Sequence, residues 1–132
     1  MDEEHPGYRV CVVEPQSVFR NAWRTIVAGL HLDLTAIAES IETLPRVPCD
    51  VVVLDADGHD ESCAVLIRRI RARLGDVAVC AVAQRATLDL LSCRTDETVI
   101  CVLKTASNHI LRRAIREAAR RRLARPAAVG AA

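Results

Sequence analysis

Five apolar runs punctuate the chain, at residues 9–14, 32–38, 50–55, 77–83 and 99–103, and helical patterns separate most of them. The first, RVCVVE, is apolar almost throughout and ends in an acid, as a strand buried on both faces would. Residues 17–30 place Val18, Phe19, Ala22, Trp23, Ile26, Val27 and Leu30 at helical spacing, and Gly29 and His31 mark the stop. Residues 32–38 alternate weakly, as a strand. A short helix is expected over 40–44, with Ser40 as its N-cap and Pro45 and Pro48 ending it. Residues 50–55 are the most strand-like of all, and Asp57, Gly58 and His59 follow as a loop. Residues 60–74 form an amphipathic helix. Val65, Leu66, Ile70 and Leu74 face inward, Arg68, Arg69, Arg71 and Arg73 face water, and Gly75 ends it. A strand over 77–83, a short and poorly patterned helix over 87–93 and a strand over 99–103 come next. Ser107 caps a last helix to about residue 123, with Ile110, Leu111, Ala114, Ile115 and Ala118 inward.

Near-continuous apolar strands alternating with helices specify a parallel sheet covered on both faces. The expected class is α/β: a five-stranded, doubly wound parallel sheet, (βα)5. Residues 1–7 read as a disordered N-terminal segment, 8–124 as the domain and 125–132 as a linker or tail.

Composition narrows this. At 132 residues the chain is the size of one domain with a proper core. Aromatic residues are 2% of the chain, so that core is aliphatic. The net charge of +1 argues against a general polyanion binder. No apolar stretch approaches the roughly 18 residues of a membrane span, and the acidic start, MDEEHPG, is not a signal peptide. A cytoplasmic protein with no membrane partner is expected. The six cysteines, at 11, 49, 63, 80, 93 and 101, form no CxxC pair and no zinc spacing with His. Cys11, Cys80 and Cys101 fall in strands as small hydrophobes, and Cys49, Cys63 and Cys93 are the residues open to a redox role.

Two residues carry candidate chemistry. Of 18 basic residues one is lysine, Lys104, and it closes the run 99–103. In a chain that otherwise uses arginine, its compact point charge answers a need that a planar guanidinium does not meet. Asp55 closes the run 50–55 in the same way. If both runs are parallel strands, carboxylate and ammonium meet at the carboxyl edge of one sheet, where open α/β sheets place their sites.

With Glu14 ending the first strand, the segments VCVVEPQSVFRNAW, CDVVVLDADG and CVLKTASNHILRRAI resemble the receiver domain of bacterial response regulators, over about residues 8–123. The last segment resembles the NarL/FixJ (LuxR-type) branch, with Thr105 after the lysine. The resemblance implies the flavodoxin-like receiver fold. It makes Asp55 the phosphoacceptor, vestigial or actual, Lys104 its partner, and Glu14 a ligand of a Mg²⁺ ion, for which Asp55 and, by its position two residues on, Asp57 are the further candidates. The chain departs from the family at three places. Pro15 replaces an expected acid, Val82 and Ala83 offer no hydroxyl at the end of the fourth strand, and Cys101 stands where an aromatic switch residue is usual.

Phosphoryl transfer depends on positioning and charge neutralisation, so two missing devices weaken it. Asp57 is a candidate substitute for the lost acid, and His59 a candidate ligand beside it. Otherwise Asp55 and Lys104 are a structural ion pair at the sheet edge, with Glu14 also on Lys104. The expected function is an atypical (pseudo-)receiver domain. It controls a transcription regulator through dimerisation or protein contacts, with conventional aspartyl phosphorylation weak or absent and no resident cofactor. The alternatives are a Mg²⁺-dependent phospho-accepting receiver using Asp55, a small-ligand-sensing receiver and a thiol switch. No Gly-rich phosphate loop, nucleophile elbow or Ser/His/Asp set is visible, so an enzyme is not expected.

The last helix and its exit carry Arg112, Arg113, Arg116, Arg120, Arg121, Arg122 and Arg125. They read as a solvated face or as the rim of a homodimer, steered by acids such as Asp89, Asp96 or Glu97 of the second copy. No helix-turn-helix follows and aromatics are scarce, so direct nucleic-acid binding is not expected of this domain. A DNA-binding domain would begin after Pro126 in a longer regulator. No residue pattern names a sensor kinase.

Overall fold

The computed structural model describes residues 7–29, 31–57 and 59–125. The expectations for residues 1–6, for Leu30 on the first helix, for Gly58 in its loop and for the tail from 126 lie outside the described residues. The elements run β1 (Tyr8–Val13), α1 (Ser17–Val27), β2 (Leu32–Ala38), β3 (Val51–Asp55), α2 (Cys63–Leu74), β4 (Ala78–Ala83), α3 (Leu88–Leu91) with a 3₁₀ turn over Ser92–Thr95, β5 (Val99–Leu103) and α4 (Asn108–Ala124). All strand pairs are parallel, in the order β2-β1-β3-β4-β5. This is the flavodoxin-like doubly wound order.

Alternation along each strand feeds two cores. Val10, Val12, Val51, Val53, Cys80 and Val82 pack with Trp23, Ile26, Leu111 and Ile115 from α1 and α4. Cys11, Val13, Val52, Leu54, Val79 and Ala81 pack with Leu66, Ile67 and Ile70 from α2. Successive side chains of a strand point to opposite faces, and here both faces are covered. That is why the runs are apolar at every position. Val51 to Leu54 are wholly buried, each side chain contributing about 1.5–3 kcal/mol by leaving water.

Several expectations are corrected. Residues 40–44 form turns, not a helix. Ser40 Oγ accepts from Thr43 N and Thr43 Oγ1 accepts from Ser40 N, both at 3.2 Å. Such local bonds compete with helix, and Pro45 leaves too few residues to repay nucleation. Ile41 and Leu44 are buried all the same. The helix expected over 87–93 is one α turn followed by the 3₁₀ turn; the Thr87 hydroxyl accepts from Leu90 N at its start. On α1, Val18 is 66% exposed and Ala22 is exposed, because only the stripe of Phe19, Trp23, Ile26 and Val27 meets the sheet. Ile110 likewise lies outside, in the first turn of α4, at 49% exposed.

Helix α2 begins where Ser62 Oγ accepts from Val65 N and ends at Gly75, whose φ of 90° is left-handed territory that suits glycine. Arg71 on this helix is not a solvated charge. It reaches Asp96 at 2.6 Å, the Thr98 hydroxyl at 2.8 Å and the Val77 carbonyl at 3.1 Å, tying α2 to the start of β5. No helix among the described residues is long and apolar enough to cross a membrane. All six cysteines are free thiols, five of them buried.

Candidate functional site

Strands β1, β3 and β5 end at the same edge of the sheet, and the chemistry-bearing residues stand at those ends. Glu14 follows β1, Asp55 closes β3 and Lys104 follows β5. Lys104 N donates to Ala83 O at 2.8 Å, which anchors the lysine beside the end of β4. From there its side chain passes the end of β4 and reaches both acids. Nζ lies 3.1 Å from Glu14 Oε1 and 3.2 Å from Asp55 Oδ1. It also sits 4.3 Å from the centre of the Phe19 ring, a cation–π contact. The two carboxylates are 0% and 2% exposed and the lysine side chain 7%. A compact ammonium fits between two acids and over a ring; a planar guanidinium would not.

Every buried polar group in this cluster has a partner. Glu14 also accepts from Trp23 Nε1 at 3.2 Å and from Gln16 N at 3.3 Å. Asp55 Oδ1 accepts from Asp57 N at 3.1 Å, and the Asp55 carbonyl lies 2.8 Å from His59 Nε2. Arg20 holds the turn after β1 by donating to the carbonyls of Glu14 at 2.9 Å and Pro15 at 2.8 Å. Among the described residues no buried side-chain polar atom lacks a hydrogen bond.

Two carboxylates share one ammonium, so one negative charge is left over in a dry place. Burial pushes the Asp55 carboxyl above its ordinary range, and the neighbouring charge of Glu14 adds to this; the Asp57 N–H and Lys104 pull the other way.

The sequence reading placed Glu14, Asp55 and Lys104 together, and they are together. Asp57 stands differently. Its carboxylate accepts from Gln84 N at 2.8 Å, bridging the loop after β3 to the end of β4. It does not join the lysine cluster. His59 meets the Asp55 carbonyl rather than Asp57. A Mg²⁺ ion would need carboxylate oxygens from these acids, and each of the three already makes at least one bond within the chain. Glu14 is engaged by an indole, a backbone N–H and Lys104, Asp55 by Lys104 and a backbone N–H, and Asp57 by Gln84. No group of three or more His, Cys, Asp or Glu among the described residues is arranged to hold a metal ion.

The hydroxyl expected at the end of β4 is absent. Val82 pairs with Asp55 and Ala83 with Leu103 in the sheet register. Cys101 is half-buried with its thiol 3.4 Å from the Leu90 carbonyl. Above the acids a cleft of about 550 Å³ opens, lined by Pro15, Gln16, Asp57, Gln84, Arg85 and Thr87. Trp23, Phe19 and Gln84 are the site residues that site reasoning from sequence missed. Trp23 and Phe19 were read only as core, although the single Trp in an aromatic-poor chain, four residues from the single Phe, was a signal. The acids expected on a dimer rim are engaged within the chain. Asp89 accepts from Cys63 N at 3.0 Å, Asp96 takes Arg71, and Glu97 lies 3.9 Å from Arg125.

No family model and no curated protein sequence matches the chain. Solved structures do, and they are receiver domains of response regulators. The signal receiver domain of an HD domain-containing protein from Pseudomonas fluorescens Pf-5 aligns over 90% of this chain and 99% of its own. Its TM-score is 0.73 and its identity 16%. The signal receiver domain of the response regulator NarL from Mycobacterium tuberculosis aligns over 87% and 98%, with a TM-score of 0.71 and 15% identity. The Salmonella typhimurium response regulator RcsB, described for its DNA interaction, aligns over 89% of this chain and 66% of its own, at TM-score 0.67 and 16% identity. At these identities the likeness establishes the fold, in which the carboxyl edge of the sheet holds the site.

Proposed function

We propose that this chain is the receiver domain of a response regulator whose acid site is closed from within, and that it acts by protein contacts rather than by conventional aspartyl phosphorylation. The observation that carries the reading is the Lys104 bridge, 3.1 Å to Glu14 and 3.2 Å to Asp55, in a site with Pro15 at the second acid position and only Val82 and Ala83 where a hydroxyl would stand. The ammonium occupies the place between the two carboxylates where added positive charge would otherwise be needed. The fold shared with NarL and RcsB supports a regulatory partner domain, which in a longer protein would follow α4 and bind DNA. A constitutive homodimer is the simplest output of such a domain.

Light scattering of the purified chain, with and without Mg²⁺ and an acyl-phosphate donor, tests this reading. The expected result is a dimer of the same mass in both conditions and in the Asp55→Asn variant. A monomer that dimerises only with the donor would overturn it.

A second reading is favoured by one feature. The cleft of about 550 Å³ above Asp55 and Lys104 is large enough for a small ligand, and Arg85 and Thr87 on its rim offer donors. A ligand there would be sensed without covalent chemistry. It predicts a metabolite-dependent rise in melting temperature, lost when Arg85 is replaced by Gln.

A further inference from the structure

Helix α4 carries six arginines, and the structure employs four of them internally. Arg112 closes the end of α1, donating from Nε to the Ile26 carbonyl at 2.7 Å and from Nη2 to that of Thr25 at 3.3 Å. Arg120 and Arg121 share the Glu117 carboxylate, at 2.6 Å and 2.8 Å. Arg122 donates to the Asp76 carbonyl at 2.6 Å. Arg113 and Arg116 have no hydrogen-bond or ionic partner among the described residues. They lie three residues apart, hence on neighbouring positions of one helix face. Both line a concavity of about 270 Å³ whose other walls are Tyr8, His31, Glu117 and Arg120. Glu117 offsets only one of the two guanidiniums that share it, so nothing in the concavity compensates the charges of Arg113 and Arg116.

Two further observations point the same way. His31 is the one non-glycine residue with a positive φ, 68°, among the described residues. Its carbonyl is fixed by Tyr8 N at 2.8 Å. Left-handed backbone at a side chain of this size costs about 1 kcal/mol or more, and such strain gathers at ligand clamps. The chain also has three aromatic residues, one each of Phe, Trp and Tyr. Phe19 and Trp23 belong to the lysine cluster, whereas Tyr8 lies here, at the opposite end of β1 from Glu14. Paired guanidinium forks match the oxygens of a phosphate group in spacing and charge, and an aromatic wall adds a stacking face.

We infer that Arg113 and Arg116, with Tyr8 and His31, form a binding site for a phosphate-bearing small molecule. The site is a concavity rather than a track, which favours a small ligand over a polymer. It is separate from Asp55, so it stands whether or not the acid site is closed.

Titration calorimetry of the full chain at roughly 0.1 M salt against inorganic phosphate, pyrophosphate and AMP tests this. Saturable binding is expected to pyrophosphate or AMP, weakened about tenfold or more in the Arg113→Gln/Arg116→Gln double variant. Arg113 is exposed and Arg116 half-buried, and neither has a bond within the described residues to lose, so the melting temperature should stay close to that of the parent. AMP binding more tightly than inorganic phosphate would support the part assigned to Tyr8, and Tyr8→Leu should remove that difference. The exposed pair Arg46 and Arg68 serves as the control for unspecific charge. Because Asp2, Glu3 and Glu4 shortly precede Tyr8 in sequence, the titration is repeated on D2N/E3Q/E4Q, which removes them as competitors. The inference is overturned by no binding in either background, or by equal loss in Arg46→Gln/Arg68→Gln.

Discussion

Replacing Lys104 by Met keeps an apolar stem of similar length against Phe19 and removes the charge. Glu14 and Asp55, at 0% and 2% exposed, are then left without the one ammonium that joins them. Breaking a buried ion pair by deleting one partner costs about 3–5 kcal/mol, because the remaining charge stays desolvated. For a domain of 132 residues that loss lowers the melting temperature by roughly 11–18 °C. The penalty depends on pH. Without Lys104, burial and the Glu14 charge act on the Asp55 carboxyl unopposed by the ammonium and hold it above its unfolded value. Stability then falls as pH rises from about 4 through that raised value, so the penalty is largest at pH 7 and shrinks toward pH 4. Asp55→Asn in the K104M background removes one of the two stranded charges and raises the melting temperature again. Asp55→Asn alone, which relieves the acid that burial and Glu14 already disfavour, leaves the protein as stable as the parent or more so. Scanning calorimetry of the four proteins at pH 7 and pH 4.5 gives the cycle. A K104M protein melting within 2 °C of the parent at pH 7, or a double variant no more stable than K104M, would refute the reasoning.

Arg71→Gln removes the ties to Asp96, Thr98 and Val77 and is expected to cost about 2 kcal/mol in urea denaturation. The Arg71 guanidinium and the Thr98 donors hold the Asp96 carboxyl down at about 2 against the opposing effect of burial. Asp96 therefore contributes stability above pH ~4 that is lost as pH falls toward 2, and R71Q should flatten that part of the acid denaturation curve. Among the thiols, Cys101 is half-buried and the other five are buried. Ellman's reagent should react first with one thiol in the native protein, slowly because burial pushes the Cys101 thiol up, and Cys101→Ser should abolish that reaction. Cys11 stays protected although neighbouring hydrogen bonds lower its thiol to about 7, because access rather than ionisation limits a side chain that is 0% exposed.

The strands were legible because both faces of the sheet are covered. A run such as Val51–Asp55 is then apolar at each position until its last residue, and that residue is at the edge where chemistry gathers. For the same reason Glu14, Asp55 and Lys104 could be brought together from sequence alone. The turns at 40–44 were not legible, because Ile41 and Leu44 are buried as a helix would bury them while Ser40 and Thr43 satisfy each other locally. The bond from the Gln84 backbone N–H to Asp57 was not legible, because backbone partners leave no trace in side-chain pattern. The arginines of α4 look alike in sequence. Which of them are bonded depends on where α1, Glu117 and Asp76 lie in space, and only the fold separates Arg113 and Arg116 from the rest.

The central claim is that Lys104 closes the acid site against phosphoryl transfer. Intact mass after incubation with Mg²⁺ and an acyl-phosphate donor, with Asp55→Asn alongside, tests it most directly. The account predicts no added phosphoryl mass in either protein. A gain of one phosphoryl group in the parent that is absent in Asp55→Asn would contradict it.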